Sequence, residues 1–283
     1  MKTHSRGELR IAMMGLIACS AWASVARAEG RAFDVERDEG IPTSLFGSFV
    51  RSHELLVYPF YEFTSNPDQE YKPSELGETL QQDFRAKRTE HEALLFVAYG
   101  FSDRLALEFE SALWTKATQH TASADPSGLP ATLEESGLGD TQAELRWRWA
   151  KETLRRPELY SYFEVAFPLQ RTRRLIGTPS WELTPGVGAI KTSRWGTFSA
   201  RTSADYSDGK SEFGESAFEY LTRPLGAWRW VAAVEGSQDE WALIGEAQVT
   251  FRPHMTLKLN NGFGLTSKAP DLAPEVGVMF SFR

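Results

Sequence analysis

Residues 140–149 read DTQAELRWRW, and this stretch decides the class of fold. Two sets of side chains alternate along it, a polar set of Asp140, Gln142, Glu144, Arg146 and Arg148 and a mainly apolar set of Thr141, Ala143, Leu145, Trp147 and Trp149. Successive side chains of a β-strand point to opposite faces of the sheet. The stretch is therefore predicted to be a strand with one charged face and one apolar face.

The same period of two recurs beyond residue 50, for example over 104–114, 241–252 and 275–283. Strand and turn signals together predict twelve strands, near residues 54–64, 90–101, 104–114, 138–149, 158–168, 180–190, 195–206, 213–223, 227–236, 240–252, 254–264 and 272–283. Helix signals are almost absent. The predicted fold is all-β and antiparallel.

The connections between these strands alternate in length. Short ones are predicted at 102–103, 150–157, 191–194, 224–227 and 253, and longer or polar ones at 65–89, 115–137, 169–179, 207–212, 237–239 and 265–271. An even number of strands with tight turns on one side and longer loops on the other is typical of bacterial outer-membrane barrels. We therefore expect a transmembrane, antiparallel, up-and-down β-barrel of about twelve strands over residues 53–283.

The tryptophans give a second indication of a membrane. The eight that follow residue 28 all lie near predicted strand ends, and they are Trp114, Trp147, Trp149, Trp181, Trp195, Trp228, Trp230 and Trp241. Indole favours the boundary between lipid and water, so these residues are predicted to form aromatic girdles.

A soluble periplasmic β-sandwich or lipocalin-like barrel would also alternate. Such a protein needs its apolar face inside, yet charged side chains here recur on the opposite face of strand after strand. The chain also ends in alternating Val276, Val278, Phe280 and Phe282, like the last strand of outer-membrane proteins, although Arg283 follows the final aromatic residue. The pattern favours the outer membrane of a Gram-negative bacterium, with lipid, lipopolysaccharide and the barrel-assembly machinery as partners.

The N-terminus indicates export. Basic residues Lys2, Arg6 and Arg10 precede an apolar run at 11–18, and the small residues of Ala26-Arg27-Ala28 follow, which predicts a signal peptide over 1–28. The only cysteine, Cys19, ends a sequence like a lipoprotein box, but cleavage after Ala28 is favoured because the apolar, small-residue run continues past Cys19. Residues 29–52 are predicted to be either a plug in the barrel or a periplasmic segment.

Three short stretches resemble the outer-membrane family named for the MetA pathway of phenol degradation. They are residues 99–105 (YGFSDRL), 136–140 (SGLGD, which enters the strand ending in RWRW) and 182–188 (ELTPGVG). The resemblance implies an outer-membrane barrel and export or uptake in connection with aromatic degradation.

The polar face of the strands is predicted to line the lumen. Its acids are Glu54, Glu62, Glu108, Glu110, Asp140, Glu144, Glu164, Glu182, Asp205, Glu215, Glu219, Glu235, Glu246 and Glu275, and its bases are Arg104, Arg146, Arg148, Arg201, Arg229, Arg252 and Lys258. If the lumen is open, the acid excess favours cations or neutral solutes over anions. The leading hypothesis is a porin-like or transporter-like channel for small solutes, hydrophobic or aromatic ones included. If these charges pair and fill the lumen, the barrel is structural or adhesive instead.

Enzymatic function has weaker support. Lipid hydrolysis would need a serine such as Ser111 or Ser211 beside one of the histidines, which are His53, His91, His120 and His254, and no local motif nominates a pair. No phosphate loop and no Cys/His metal set is present, so neither a cofactor nor a metal is predicted. The formal net charge of −7 gives no electrostatic support for binding nucleic acid.

Overall fold

The computed structural model describes residues 41–45 and 51–283. The predicted signal peptide, 1–28, and most of the predicted segment 29–52 lie outside the described residues. The strands of the described part are β1 (Leu55–Tyr71), β2 (Phe84–Gly100), β3 (Leu105–His120), β4 (Thr132–Gly137), β5 (Thr141–Ala150), β6 (Glu158–Ala166), β7 (Glu182–Thr192), β8 (Gly196–Ser207), β9 (Lys210–Thr222), β10 (Trp228–Ser237), β11 (Glu240–Arg252), β12 (Met255–Gly264) and β13 (Ala273–Phe282). One short 3-10 helix, Pro73–Leu76, follows β1.

Twelve of these strands form a closed antiparallel barrel. Each strand pairs with its neighbours in sequence, and β1 pairs with β13, which closes the sheet and leaves no edge to the lipid. The twelve predicted strands are all present, and the predicted fold class is confirmed. No helix in the described part is long and apolar enough to cross a membrane.

The additional strand, β4, is an extension of β5. It pairs with the second half of β3, while β5 pairs with the first half. At the break between them, the N–H of Gly139 donates to Ala112 O and the N–H of Ala112 donates to Asp140 O, both at 2.8 Å. A Cβ at residue 139 would overlap the Thr115 hydroxyl and lie 2.7 Å from Ala112 Cβ, so only glycine fits this crossing.

The barrel has two different ends. We call the end where β1 begins and β13 finishes the terminal end, and it also carries the connections 101–104, 151–157, 193–195, 223–227 and 253–254. The opposite end, the loop end, carries the connections 72–83, 121–131, 167–181, 208–209, 238–239 and 265–272.

Several loop-end connections are shorter than predicted. The predicted loop 65–89 is largely strand, because β1 continues to Tyr71 and β2 begins at Phe84, and the predicted loop 115–137 contains the end of β3 and all of β4. In the extension of β1 the burial pattern no longer alternates regularly, whereas it still alternates at the end of β3 and in β4. The predicted loop 207–212 is a two-residue turn in which Asp208 and Gly209 both have positive φ, as a hairpin of this type requires.

The side chains show that the barrel is polar inside and apolar outside. On β5, Leu145 and Trp147 are 45% and 54% exposed, whereas Glu144 and Arg146 are 5% and 4% exposed. The same arrangement repeats around the barrel, with buried Glu219, Glu246 and Lys258 opposite exposed Phe, Leu and Val side chains. A soluble sandwich or lipocalin-like barrel would bury the apolar set, so the structure excludes that alternative and fits a barrel surrounded by lipid.

The predicted girdle tryptophans lie toward the two ends. Trp147, Trp149, Trp195, Trp228 and Trp230 lie near the terminal end, and Trp114, Trp181 and Trp241 lie toward the loop end. All except Trp241 are strongly exposed. The Trp228 and Trp230 rings stack with centroids 6.1 Å apart, and the indole of Trp241 donates to Gln238 O at 3.2 Å. Their role at a membrane boundary stays a prediction.

Candidate functional site

The barrel encloses a cavity of about 690 Å³, which we call the luminal cavity. Most of the strands contribute to its walls. Residues outside the strands narrow the cavity at both ends of the barrel. A volume of this size is suitable for one small organic molecule.

The structure brings most of the predicted lumen residues together. Thirteen of the twenty-one residues predicted to face the lumen line the luminal cavity, namely Glu62, Glu108, Glu110, Glu144, Glu164, Glu182, Asp205, Glu215, Glu235, Glu275, Arg146, Arg201 and Lys258. Glu219 and Glu246 also face inward but are fully buried in the wall. Arg148 is buried near the terminal end, where its Nε lies 3.0 Å from Glu158 Oε2, and Arg229 is half-buried at the start of β10.

Three of the predicted lumen residues are exposed and lie outside the luminal cavity. Asp140 is exposed at the break between β4 and β5, where its carboxylate accepts a hydrogen bond from the Thr178 hydroxyl. Arg104 and Arg252 are exposed at or beside turns of the terminal end. Arg104 and Asp140 lie just before β3 and β5, and Arg252 follows a shift in register between Thr250 and Arg252, so the strict period of two does not extend to these positions.

The basic side chains of the luminal cavity are engaged by carboxylates. Arg146 lies 2.7 Å from Glu144 and 3.3 Å from Glu108, and Arg201 lies 2.6 Å from Glu215. Lys258 lies 3.4 Å from Glu246.

Carboxylates nevertheless outnumber bases strongly. The cavity is lined by three basic side chains and by eleven acids, which are Glu62, Glu108, Glu110, Glu144, Glu164, Glu182, Asp205, Glu215, Glu235, Glu240 and Glu275. The lumen therefore has an electrostatic preference for positive charge.

Three carboxylates lie side by side on adjacent strands. Glu62 of β1 is directly opposite Glu275 of β13 and directly opposite Glu92 of β2. We call Glu275, Glu62 and Glu92 the carboxylate row. Like charges in directly opposed positions destabilise a sheet, so this arrangement costs folding free energy unless a cation or a proton offsets it.

One wall of the luminal cavity is apolar, although the sequence pattern predicted a polar lumen. It is formed by Leu56, Tyr58 and Phe60 of β1 with Leu94 and Phe96 of β2. The Tyr58 and Phe60 rings stack with centroids 4.7 Å apart. We call these five residues the aromatic wall.

The signal for this wall was present in the sequence. Leu56, Tyr58 and Phe60 have the same parity as Glu54 and Glu62, which were placed inside. The assumption that every apolar side chain faces lipid hid them.

Loops narrow the cavity at the loop end. Leu175 and Ile176 of the connection 167–181 are buried against Tyr71 and Leu76. From the connection 265–272, Ala269 and Pro270 line the cavity.

Lys268 adds two ion pairs to the hydrogen bonds that already join the second of these loops to β1. Lys268 Nζ lies 3.0 Å from Asp239 and 3.2 Å from Glu75. Burial opposes the charge of Lys268, but the hydrogen bonds to Asp239 and Glu75 outweigh it and raise the pKa of the ammonium. The hydrogen bond from Lys268 in turn lowers the pKa of Asp239.

The described residues 41–45 narrow the cavity toward the terminal end. Ser44 Oγ and the N–H of Leu45 donate to the two carboxylate oxygens of Glu219 at 2.5 and 2.6 Å. Gln248 Nε2 donates to Thr43 O at 2.8 Å, and Ile41 packs on Leu221 and Val231. These five residues, which we call the luminal segment, therefore lie inside the barrel against β9, β10 and β11.

The structure places neither of the two serines considered as nucleophiles beside a histidine. Ser111 is buried and shares a hydrogen bond with Thr141 at 2.7 Å, while His91 contacts the Tyr61 hydroxyl at 2.6 Å and His120 contacts Thr132 at 3.0 Å. Within the described residues, neither Ser111 nor Ser211 hydrogen-bonds a histidine. The same part of the chain contains no group of three His, Cys, Asp or Glu side chains that could hold a metal ion.

Comparison with known proteins supports the fold. No protein-family model and no curated protein sequence matches the chain. Among solved structures, the chain is similar to the COG4313 outer membrane channel from Pseudomonas putida F1, with a TM-score of 0.58 and 14% identity over 86% of this chain and 100% of that one. It is also similar to the KdgM porin, with a TM-score of 0.52 and 9% identity over 81% of this chain and 99% of that one.

At these identities the similarity establishes a shared fold, that of outer-membrane barrels. Membership of the family named for the MetA pathway stays a prediction.

Proposed function

We propose that the protein is an outer-membrane channel through which small solutes, hydrophobic or aromatic ones included, pass without an energy source. The observation that carries the proposal is the luminal cavity itself, a space of about 690 Å³ inside a barrel whose outer surface suits lipid. The barrels of similar fold with TM-scores above 0.5 are named as a channel and a porin, which supports the same role. The proposed role is not enzymatic.

The proposal includes a location and an orientation. The signal peptide exports the chain, the barrel-assembly machinery inserts it, and lipopolysaccharide and phospholipid surround it. The terminal end faces the periplasm and the loop end faces outward, because outer-membrane barrels have short periplasmic turns and longer outer loops.

We further propose that residues 29–52 act as a plug. The support is the luminal segment, which is held inside the barrel by both oxygens of Glu219 and by Gln248. A chain segment bound to the inner wall reduces the cross-section for solutes.

Single-channel conductance in planar bilayers tests the channel and the plug together. The chain without its signal peptide is refolded and compared with a chain that begins at residue 53 and with Glu219→Gln. Glu212→Gln, at an exposed position of β9 near the loop end, serves as a control. We expect steady, cation-selective current steps that grow when residues 29–52 are removed. In the glutamine variant at 219, which retains a single acceptor oxygen, we expect more frequent large steps than in the control.

A closed structural or adhesive barrel is the second candidate. It is favoured by the chain that narrows both ends of the cavity, namely the luminal segment at one end and the loops 167–181 and 265–272 at the other. Folded protein that stays silent in the bilayer with and without residues 29–52 would contradict the channel and support this candidate.

A further inference from the structure

The walls of the luminal cavity differ chemically from one another. The aromatic wall covers the β1–β2 side, where Phe60 and Phe96 face the space, whereas the opposite strands β5 to β8 contribute mainly charged and polar side chains such as Glu144, Glu164 and Arg201. A solute that fills the cavity therefore meets rings on one side, and carboxylates both beside these rings and on the opposite wall. This arrangement suits a molecule that is itself divided into an apolar part and a charged part.

The charge that the cavity favours is positive. Glu62 is directly opposite two other carboxylates, Glu275 of β13 and Glu92 of β2. Within the described residues, neither Glu62 nor Glu110 hydrogen-bonds or forms an ion pair with a basic side chain. These two acids border the aromatic wall, since Glu62 follows Phe60 on the same face of β1 and Glu110 is directly opposite Phe96.

The barrel already binds one ammonium group in this manner. Lys258 Nζ lies 4.8 Å from the centroid of the Tyr58 ring and 3.4 Å from Glu246 Oε2. A cation is attracted by the face of an aromatic ring and by a carboxylate at once, and the attraction is stronger away from bulk water. The neighbouring face of Phe60 with Glu62 offers the same pair of groups without a lysine of its own.

Anions meet the opposite situation. The three basic side chains of the cavity, Arg146, Arg201 and Lys258, are each bound by carboxylates, so an incoming anion would have to displace one of them. A purely apolar solute could use the aromatic wall but would leave the unpaired carboxylates facing it.

We infer that the luminal cavity takes organic cations that carry an aromatic or alkyl group, with the cationic nitrogen at Glu62 and the apolar part on Phe60 and Phe96. This inference deepens the proposed channel function and rests on it. The ring stack of Tyr58 and Phe60 selects the apolar part, and the carboxylate row selects the charge.

Equilibrium dialysis with three probes tests the inference on the folded chain without its signal peptide. Phenyltrimethylammonium has both a ring and a positive charge, tetramethylammonium lacks the ring, and benzenesulfonate has the ring with a negative charge. We expect phenyltrimethylammonium to bind roughly threefold to tenfold more tightly than tetramethylammonium, because both carry the cation and only the former adds a ring–ring contact. Benzenesulfonate should bind more weakly than either.

Two variants locate the binding, and one serves as a matched control. Glu62→Gln should reduce the affinity for both cations, and Phe60→Leu should reduce only the preference for the ring-bearing one. Glu134→Gln removes the same charge from an exposed position on β4, where Glu134 pairs with Lys116, and should change neither. Folding of every variant is checked by its heat-dependent migration on a gel.

Planar-bilayer currents in potassium chloride separate this inference from the channel function. Steady currents without any preference among the three probes, or a preference that Glu62→Gln leaves intact, overturn the inference and leave the channel standing. Probe binding that depends on Glu62 in a barrel that conducts no ions overturns the channel and supports the ligand class.

Discussion

Arg146 forms ion pairs with two buried carboxylates of the lumen, so Arg146→Met should strongly lower the free energy of unfolding of the barrel. Arg146 is 4% exposed, and its guanidinium lies 2.7 Å from Glu144 and 3.3 Å from Glu108. Methionine keeps much of the volume but leaves two carboxylates facing each other without a cation. Breaking a buried ion pair by removing one partner costs about 3–5 kcal/mol.

We expect a loss near the lower end of that range, about 3 kcal/mol, because the adjacent cavity can hydrate the exposed carboxylates. The assay is equilibrium unfolding in urea of the protein refolded into lipid vesicles, followed by tryptophan fluorescence. With a slope of about 3 kcal/mol per molar urea, the midpoint should fall by about 1 M.

The matched control is Arg85→Met. Arg85 forms an ion pair with Glu70 at 3.1 Å, but half of its side chain is exposed at the loop end. An exposed pair contributes less than about 1 kcal/mol, so this variant should unfold close to the parent. If the two variants lose the same free energy, the ion pairs of the lumen are as hydrated as surface pairs and the reasoning is wrong.

Three other variants test separate parts of the structure. Gly139→Ala should lower the free energy of unfolding by about 1–3 kcal/mol in the same urea assay, because its Cβ would collide with Thr115 and Ala112 of β3. Gly245→Ala, whose Cβ meets nothing within 4 Å, should change the free energy of unfolding little. Leu145→Arg should cost about 2–4 kcal/mol in vesicles if this exposed side chain faces lipid, and Leu145→Ala should cost less; equal losses would contradict the lipid contact. Lys268→Ala should release the loop-end connection 265–272 from its ion pairs with Asp239 and Glu75 and make channel currents noisier. In the parent, the same increase in current noise should appear as the pH falls through the lowered pKa of Asp239, below about pH 4. Parent currents that stay unchanged down to pH 2 would refute the role of the ion pair.

The lysine prediction follows from the sign of the pKa shift. A carboxyl whose pKa is lowered in the folded state stabilises that state while it is ionised, so its contribution is present at neutral pH and is lost on acidification. Because the pKa of Lys268 is raised, the ammonium stays charged through the whole of this acidic range. The measured change therefore reports on the carboxylates.

The sequence by itself determined the barrel. Twelve strands and the predominance of polar side chains inside follow from the period of two in stretches such as 140–149, because in lipid every backbone group must be paired and one face must be apolar. That requirement is local to each strand and can be read along the chain. The amphipathic sequence pattern is weaker at residues 65–71 and 115–120. There the strands extend beyond the predicted segments, and the predicted loops were too long.

Only the tertiary structure decided what the lumen contains. The carboxylate row exists because β13 closes on β1 and brings Glu275 beside Glu62, a pairing between the two ends of the barrel that no local pattern encodes. The luminal segment reaches Glu219 for the same reason, since its contacts join residues far apart in the chain. Alternation assigns a side chain to a face, whereas closure and register decide which side chains share the enclosed space, and the chemistry of the lumen depends on the latter.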